Sequence, residues 1–257
     1  MNEGLGRCAE AEALRGRVVL ITGSGKGLGA ALVRACAEAR ARVVVNCKID
    51  ERRAHAMGQE IQRGGGEALV CRADVTSHGE AKGLVDETLR AFGRIDVLVN
   101  TVGNFAWKPV AEMEPPDWRA MLASNLDSVY NMCRLVLPSM RQQHWGRIVN
   151  FGSVGAERTL AHQKVAAYSA AKAGVVAFSK ALALEEARAG ITVNVVCPGV
   201  LIDGEESARE PDHIGDRVPT GRLGTPEDVM RAILFFCSPA ADFITGQVLS
   251  VSGGWRL

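Results

Sequence analysis

The first β-branched run of the chain ends abruptly in a cluster of glycines. Residues Arg17–Thr22 read Arg-Val-Val-Leu-Ile-Thr, and the stretch Gly23-Ser24-Gly25-Lys26-Gly27-Leu28-Gly29 follows at once. Helical spacing of apolar residues then extends over Leu28–Arg40. A buried strand that passes through a tight turn into a helix is the pattern expected here.

The same order of strand and helix repeats along the chain. Further strands are predicted at Arg42–Cys47, Ala68–Cys71, Ile95–Val99, Gly146–Phe151, Ile191–Cys197 and Gln247–Val251. Helices are predicted at Glu51–Arg63, Ser77–Phe92, Asp117–Gln143, Tyr168–Ala189 and from Thr225-Pro226-Glu227. Alternating strands and helices imply βαβ units with right-handed crossovers. We therefore expect an α/β fold, a doubly wound parallel sheet with helices on both faces.

Size and composition favour one domain without a nucleic-acid or membrane partner. The 257 residues fit a single catalytic domain over 16–257, with a flexible arm over 1–15 and a lid loop over 203–220. The net charge of +1 gives no basic footprint for nucleic acid, and no apolar run is long enough for a membrane span. Seven cysteines without a C-x-x-C pair indicate reduced thiols of a cytoplasmic protein, and no metal site is readable.

The glycine turn predicts a dinucleotide site. Glycines allow the backbone to approach a pyrophosphate closely, and amide groups at the following helix N-terminus meet its negative charge. A mononucleotide P-loop is the competing interpretation, but it needs Ser or Thr after the lysine, and Gly27 follows Lys26.

The second strand favours NADP over NAD. An acid usually meets the ribose of NAD about twenty residues after the glycine turn. The stretch Val45-Asn46-Cys47-Lys48 has no carboxylate, whereas Lys26 and Lys48 offer positive charges to a 2′-phosphate. The alternative, with NAD as cofactor, is that both lysines are solvated and Asp50 reaches back.

Tyr168 and Lys172 are one helical turn apart at the start of an Ala-rich apolar run. On a helix both side chains leave the same face. An ammonium beside a phenol favours the phenolate, which makes proton transfer at neutral pH feasible. The other interpretation is an amphipathic helix with a tyrosine at its edge and a solvated lysine.

Taken together, these residues resemble the classical short-chain dehydrogenase/reductase family, and are similar to 3-oxoacyl-carrier-protein reductases and related carbonyl reductases. The resemblance extends from Arg17 to Trp255. Besides the glycine turn and the Tyr168–Lys172 stretch, it rests on Asp74-Val75, Asn100-Thr101-Val102-Gly103, Asn125, Ser153, Pro198-Gly199 and Gly221–Glu227. It implies a Rossmann-type fold and, commonly, a homotetramer or homodimer built on the long helices.

The resemblance also implies roles for four catalytic residues. Tyr168 is then the general acid/base, and Lys172 lowers its pKa and hydrogen-bonds the nicotinamide ribose. Ser153 holds the substrate oxygen, and Asn125 supports a water that links Lys172 to solvent. Such a set suits hydride transfer between a ketone and a secondary alcohol.

For the cofactor, the resemblance places Asp74 and Val75 at adenine and Asn100 and Gly103 along the dinucleotide. Two positions depart from the family pattern: Val102 replaces a usual alanine, and Asp203 stands where a threonine usually bonds the nicotinamide carboxamide. The complete cofactor set predicted is Gly23, Ser24, Lys26, Gly27, Leu28, Gly29, Cys47, Lys48, Asp74, Val75, Asn100, Gly103, Tyr168, Lys172, Pro198 and Gly199.

Three loops are expected to set substrate specificity. They are Phe105-Ala106-Trp107, Val154–Val165 with His162 at the pocket rim, and Asp203–Arg217, in which six acids leave little apolar lining. We therefore expect an NADP-dependent ketoreductase acting on a polar or ring-bearing small molecule. The alternatives are an NAD-dependent alcohol dehydrogenase and a non-catalytic cofactor-binding scaffold.

Overall fold

The computed structural model describes residues 14–160, 162–202 and 215–256. Its centre is one seven-stranded parallel sheet in the order β3-β2-β1-β4-β5-β6-β7. The strands are β1 (Val18–Thr22), β2 (Arg42–Cys47), β3 (Glu67–Arg72), β4 (Val97–Asn100), β5 (Gly146–Phe151), β6 (Ile191–Pro198) and β7 (Val248–Val251). The predicted parallel sheet is confirmed.

Helices cover both faces of this sheet. They are α1 (Gly27–Glu38), α2 (Glu51–Arg63), α3 (His78–Phe92), α4 (Pro115–Leu122), α5 (Ser128–Gln143), α6 (Ala166–Glu186) and α7 (Pro226–Cys237). One core cluster joins α1, α2 and α7 to the sheet, and a second joins α3, α5 and α6 to the other face. Along β1, Val19 and Ile21 belong to the first cluster and Val18 and Leu20 to the second. Strands apolar on both sides are what a doubly wound fold requires.

The strand order reverses beside β1, which pairs with β2 on one side and β4 on the other. In open α/β sheets, ligands bind outside the carboxyl ends of the strands at this point. Here the two strand ends are tied together, since Thr101 donates its N–H to Thr22 Oγ1 at 3.1 Å. The glycine turn begins directly after Thr22, where this hydrogen bond joins the two strand ends.

The predicted helix Asp117–Gln143 is wrong in one respect, because it is not continuous. Between α4 and α5 lies a π-helical segment, Ala123–Asp127, with Asn125 near its middle. A π turn inserts one extra residue without changing which residues are apolar, so hydrophobic spacing does not reveal it. Such segments occur frequently at functional sites.

The first residues that the structure describes also differ from the expected arm. Leu14 is fully buried in the first core cluster, and its carbonyl accepts a hydrogen bond from Arg17 N–H at 2.9 Å. Residues 1–13 of the predicted arm lie outside the described residues. Leu14 therefore belongs to the core rather than to the arm.

Candidate active site

A cavity of about 230 Å³ opens at the carboxyl ends of β4, β5 and β6. Its wall consists of Thr101, Gly103, Phe105, Asn125, Phe151, Gly152, Tyr168, Lys172, Pro198 and Gly199. Residues from five separated parts of the sequence meet here because parallel strands all end at the same edge. The structure thus brings together Asn125, Tyr168 and Lys172, the three predicted catalytic residues that line the cavity.

Tyr168 and Lys172 extend from the first two turns of α6. Lys172 is only 5% exposed, and its ammonium donates to the carbonyl oxygen of Phe151 at 2.8 Å. The same Nζ lies 5.7 Å from the centre of the Tyr168 ring. The lysine of the pair is therefore a buried cation, and the interpretation of a solvated lysine is wrong.

Burial dominates the protonation of both groups. It raises the pKa of Tyr168 to about 12 and lowers the pKa of Lys172 to about 8. Lys172 does not lower the pKa of Tyr168 as predicted when the protein alone surrounds the two groups. The Lys172 ammonium instead donates a hydrogen bond to a backbone carbonyl. At neutral pH Tyr168 therefore carries its proton, the form that a general acid requires.

Asn125 is held rigidly by its amide nitrogen. Nδ2 donates to Met121 O at 3.1 Å and to Asn104 O at 2.9 Å, while the buried Oδ1 has no partner within the described ranges. A Cβ added at Gly103 would lie 2.5 Å from this Oδ1 and 3.5 Å from Lys172 Nζ. The unpaired acceptor and the ammonium thus both lie close to Gly103, and the water between them stays a prediction.

Ser153 follows Gly152 directly after β5. It is half-buried, and its carbonyl accepts from Ala156 N–H at 2.9 Å in the turn that leads into the next loop. Gly152 lines the cavity, and a side chain there would come within 2.5 Å of Cys197 Sγ. The turn therefore places Ser153 beside the cavity wall, and its catalytic role stays a prediction.

Hydrogen bonds from Asn46 of β2 hold the glycine turn in place. Gly23 donates its N–H to Asn46 Oδ1 at 2.9 Å, and the fully buried Ser24 hydroxyl bonds Ile21 O at 2.9 Å and Asn46 N at 3.0 Å. The Ser24 side chain thus stabilises the turn from inside. Asn46 shapes the glycine turn, and no role was predicted for it, because the partner of a polar residue in a buried strand is visible only in the fold.

The turn itself fits a pyrophosphate. Lys26 caps α1 without a side-chain hydrogen bond to the first amide groups of the helix. A side chain at Gly29 would come within 3.0 Å of Gly23 O and of Ser24 Cα. Gly27 and Leu28 form the first turn of α1. Unpaired helix amides beside a close backbone approach form an anion site.

Val102 fills space that Gly23 leaves open. A Cβ at Gly23 would lie 2.7 Å from Val102 Cγ2. The bulkier residue at the family's alanine position is thus accommodated against the turn. Asn100, in contrast, directs its side chain inward: Nδ2 donates to Asn150 Oδ1 at 2.8 Å, within the protein interior. The Asn100 side chain therefore forms a hydrogen bond within the core and does not point into the dinucleotide crevice.

The predicted 2′-phosphate lysines differ in their surroundings. Lys26 is exposed, whereas Lys48 Nζ forms an ion pair with Asp74 Oδ2 at 2.6 Å. Burial raises the pKa of Asp74, but hydrogen bonds from Lys48 and Thr76 outweigh it, so that the net shift is downward. Asp50 caps α2 by accepting from Arg53 N–H at 3.0 Å. Asp50, the acid that the NAD alternative requires, is therefore already hydrogen-bonded at the start of α2.

The remaining cofactor positions lie around this crevice. Cys47 is buried at the end of β2, and Val75 is buried after β3. Pro198 and Gly199 line the cavity, and Gly199 donates its N–H to Val251 O at 2.9 Å. Asp203 and the lid residues up to 214 lie outside the described residues.

Two aromatic side chains stand on the substrate side. Phe105 lines the cavity and meets the Tyr168 ring edge to face at 5.0 Å between centroids. Trp107 meets Phe105 in the same manner at 5.1 Å and is 65% exposed. Phe105 thus forms the apolar wall predicted for this loop.

Across the described part of the chain, no helix is long and apolar enough to cross a membrane, and no side-chain cluster could hold a metal.

Comparisons with known proteins agree with this geometry. Residues 23–256 match the family model described as enoyl-(acyl carrier protein) reductase. The chain is 39% identical to a 3-oxoacyl-[acyl-carrier-protein] reductase of Synechocystis, covering 94% of this chain and 98% of the relative. It is 35% identical to a 7alpha-hydroxysteroid dehydrogenase of Escherichia coli K12, covering 94% of each chain.

A solved structure extends the comparison to three dimensions. The gluconate 5-dehydrogenase of Burkholderia cenocepacia, in complex with NADP and tartrate, superposes with a TM-score of 0.89 at 34% identity, covering 96% of this chain and 98% of that one. With its Rossmann-type sheet, its Tyr168–Lys172 cavity and these relatives, the chain belongs to the short-chain dehydrogenase/reductase family, NAD(P)-dependent oxidoreductases acting on CH–OH and C=O groups.

Proposed function

We propose that this protein is an NADP-dependent ketoreductase that interconverts a ketone and a secondary alcohol on a polar or ring-bearing small molecule. The observation that carries the proposal is that Tyr168 and the buried Lys172 both line the cavity at the strand ends. The edge-to-face contact with Phe105 leaves one side of this cavity apolar. The protonated phenol favours the reductive direction.

In the proposed reaction, NADPH held at the glycine turn would supply the hydride that the carbonyl carbon accepts. Ser153 donates a hydrogen bond to the carbonyl oxygen, on which negative charge develops. Tyr168 then gives its phenolic proton to that oxygen, so that a ketone, a hydride and a proton become a secondary alcohol. Lys172 stabilises the phenolate left behind, and Asn125 Oδ1 positions a water for proton return.

Tyr168→Phe tests the chemistry. The variant should lose at least about a hundredfold in kcat with a ketone panel, because general acid catalysis contributes roughly that much. Tyr130→Phe is the matched control, since Tyr130 is the chain's other tyrosine and is half-exposed on α5. NADPH oxidation gives the readout. Equal rates for parent and Tyr168→Phe contradict the assignment, and a parent inactive on every ketone favours the scaffold alternative.

The cofactor preference rests on Lys26 and Lys48. Lys26 is exposed at the start of α1, and Lys48 follows β2, where its ammonium pairs with Asp74; in the proposal both meet the 2′-phosphate, and the NADP in the Burkholderia relative supports this choice. Removing each lysine should weaken NADPH binding by about 1 kcal/mol, roughly fivefold, and leave NADH binding nearly unchanged. Lys82→Ala on α3 is the control. Tighter binding of NADH by the parent would support the NAD-dependent alternative.

We propose in addition that the predicted catalytic domain 16–257, extended to the buried Leu14, is a single domain and that the protein is cytoplasmic. Exposed aromatic side chains on α4 and α5, Trp118 and Tyr130, support a homotetramer or homodimer. Light scattering of the purified protein tests the assembly. A mass of one chain at all concentrations would contradict it.

A further inference from the structure

The C-terminal residues 252–256 lie against the wall of the catalytic cavity. Gly199 lines that cavity, and a Cβ on it would lie 2.8 Å from Ser252 Cα. On the other side, Thr220 donates its N–H to Gly253 O at 3.1 Å. The C-terminal tail is therefore held between the cavity wall and the residues that precede α7.

The tail meets the loop that connects Ser153 to Tyr168. Arg158 Nη2 donates to the backbone carbonyl of Arg256 at 2.7 Å. The guanidinium of Arg256 contacts Nε2 of His162, six residues before the catalytic tyrosine. Arg217, from the turn Gly215–Arg217, directly precedes Val218, whose Cγ1 would lie 2.8 Å from a Cβ on Gly253 of the tail. Three chain segments thus bring three arginines and a histidine to one place.

Among the described residues, the positive charge of this cluster is only partly balanced by carboxylates. Glu157 Oε1 lies 3.5 Å from Arg158 Nε, and its other oxygen is buried without a partner in the part of the chain that the structure describes. In that same part, neither Arg217 nor Arg256 has a carboxylate within ion-pair distance.

The shifts in protonation agree with this excess of positive charge. Burial, and then Arg256, lower the pKa of His162, while burial and Arg217 lower that of Arg256. A neutral imidazole accepts a hydrogen bond at Nε2, so His162 orients the Arg256 guanidinium. The hydroxyl of Ser252, beside Gly199, is also buried and unpaired among the described residues. Polar groups without partners at the edge of a cavity are suited to a polar ligand.

We propose that Arg158, Arg217 and Arg256 form a subsite for an anionic group of the substrate, a carboxylate or a phosphate. The inference deepens the proposed function and rests on it, since it places the anion beside a ketone held at Tyr168. Guanidinium groups bind both anions through paired N–H donors. His162 acts as a positioning residue that holds Arg256.

Two pairs of substrates, each an anionic ketone and a neutral analogue, test whether the subsite recognises the negative charge. The first pair is 4-oxopentanoate and its methyl ester, and the second is acetoacetyl-CoA and acetoacetyl-N-acetylcysteamine. Parent, Arg158→Gln/Arg256→Gln and the control Arg63→Gln, at the far end of α2, are compared by NADPH oxidation. The double variant should lose about tenfold or more in kcat/KM for the anionic member and less than about threefold for the neutral member.

The two pairs distinguish the source of the anion. A selective loss with 4-oxopentanoate identifies a carboxylate, and a selective loss with acetoacetyl-CoA identifies a phosphate. Equal effects on both members of each pair, or no effect, overturn the proposal while leaving the ketoreductase assignment intact.

A binding measurement keeps the subsite testable if turnover is absent, the result that contradicts the proposed function. Calorimetric titrations of 4-oxopentanoate and of coenzyme A into NADP⁺-saturated protein should show binding that the double variant loses and Arg63→Gln keeps. Equal binding by the parent and the double variant, or no binding of either anion, overturns the subsite.

Discussion

Gly103→Ala should inactivate the enzyme without unfolding it. The new methyl carbon would lie 2.5 Å from Asn125 Oδ1, whereas a carbon and an oxygen ordinarily approach to about 3.3 Å. Either the Asn125 side chain or the Gly103 backbone must therefore move by about 0.8 Å. Asn125 has little freedom to do so, because its amide nitrogen is bonded to Met121 O and Asn104 O.

The size of the effect follows from this displacement. A misplacement of about 1 Å at a catalytic group costs on the order of a hundredfold in rate. We expect kcat/KM to fall by about 10- to 100-fold, or roughly 1.4 to 2.7 kcal/mol in transition-state stabilisation. The Lys172 ammonium, 3.5 Å from the added carbon, should be less affected.

Steady-state NADPH oxidation with a ketone measures the loss, and circular dichroism and NADPH binding verify that the variant is folded. Gly83→Ala is the matched control, since it lies inside α3 with nothing within 4 Å of its added Cβ. It should keep full activity and gain up to about 1 kcal/mol of stability from helix propensity. A fully active Gly103→Ala would refute the reasoning, because it would show that Asn125 Oδ1 is not fixed where the proton path needs it.

Three further perturbations test the energetics of the fold. Burial lowers the pKa of Lys172 to about 8, so the unfolded chain binds the extra proton above that pH. The contribution of Lys172 to stability should therefore rise between about pH 8 and pH 10. Urea titrations of the parent and Lys172→Met should show that the difference between their unfolding free energies shifts in favour of the parent over this range. Asn46→Ala should cost about 2 to 3 kcal/mol and weaken dinucleotide binding, because the side chain loses the hydrogen bond that Oδ1 accepts from Gly23 N–H and those that Nδ2 donates to Cys71 O and Ala73 O; an unchanged melting temperature would contradict this role. Burial raises the pKa of the Cys36 and Cys133 thiols to about 12, so both should resist iodoacetamide in the native protein and react after unfolding, as mass spectrometry can verify; rapid native labelling would be inconsistent with their burial.

The strands, the doubly wound sheet and the Tyr168–Lys172 pair could be predicted because they rest on local patterns. β-Branched runs, glycine turns and the spacing of four within a helix are visible in the sequence itself. The same reasoning placed Phe105 at the cavity, since loops after parallel strands meet at one edge.

Features that depend on distant partners could not be predicted. The π-helical segment around Asn125 is one example, because a shift of one residue in the apolar pattern is within the irregularity of ordinary helical spacing. The inward direction of Asn100 and the hold of Asn46 on the glycine turn depend on residues far along the chain. The pKa of Tyr168 was expected to fall beside Lys172, but burial raises it, and burial is a property of the whole fold.

The polar chain behind the cavity has a consequence for redesign. Asn100 Nδ2 donates to Asn150 Oδ1, and Asn150 Nδ2 donates to Ser179 Oγ at 2.9 Å, which joins β4, β5 and α6 through the interior. The strand that borders the hydride-transfer crevice and the helix that supplies the proton are thus coupled below the surface. The outer loops can then be exchanged for new substrates while the spacing between the two reacting partners stays set from within.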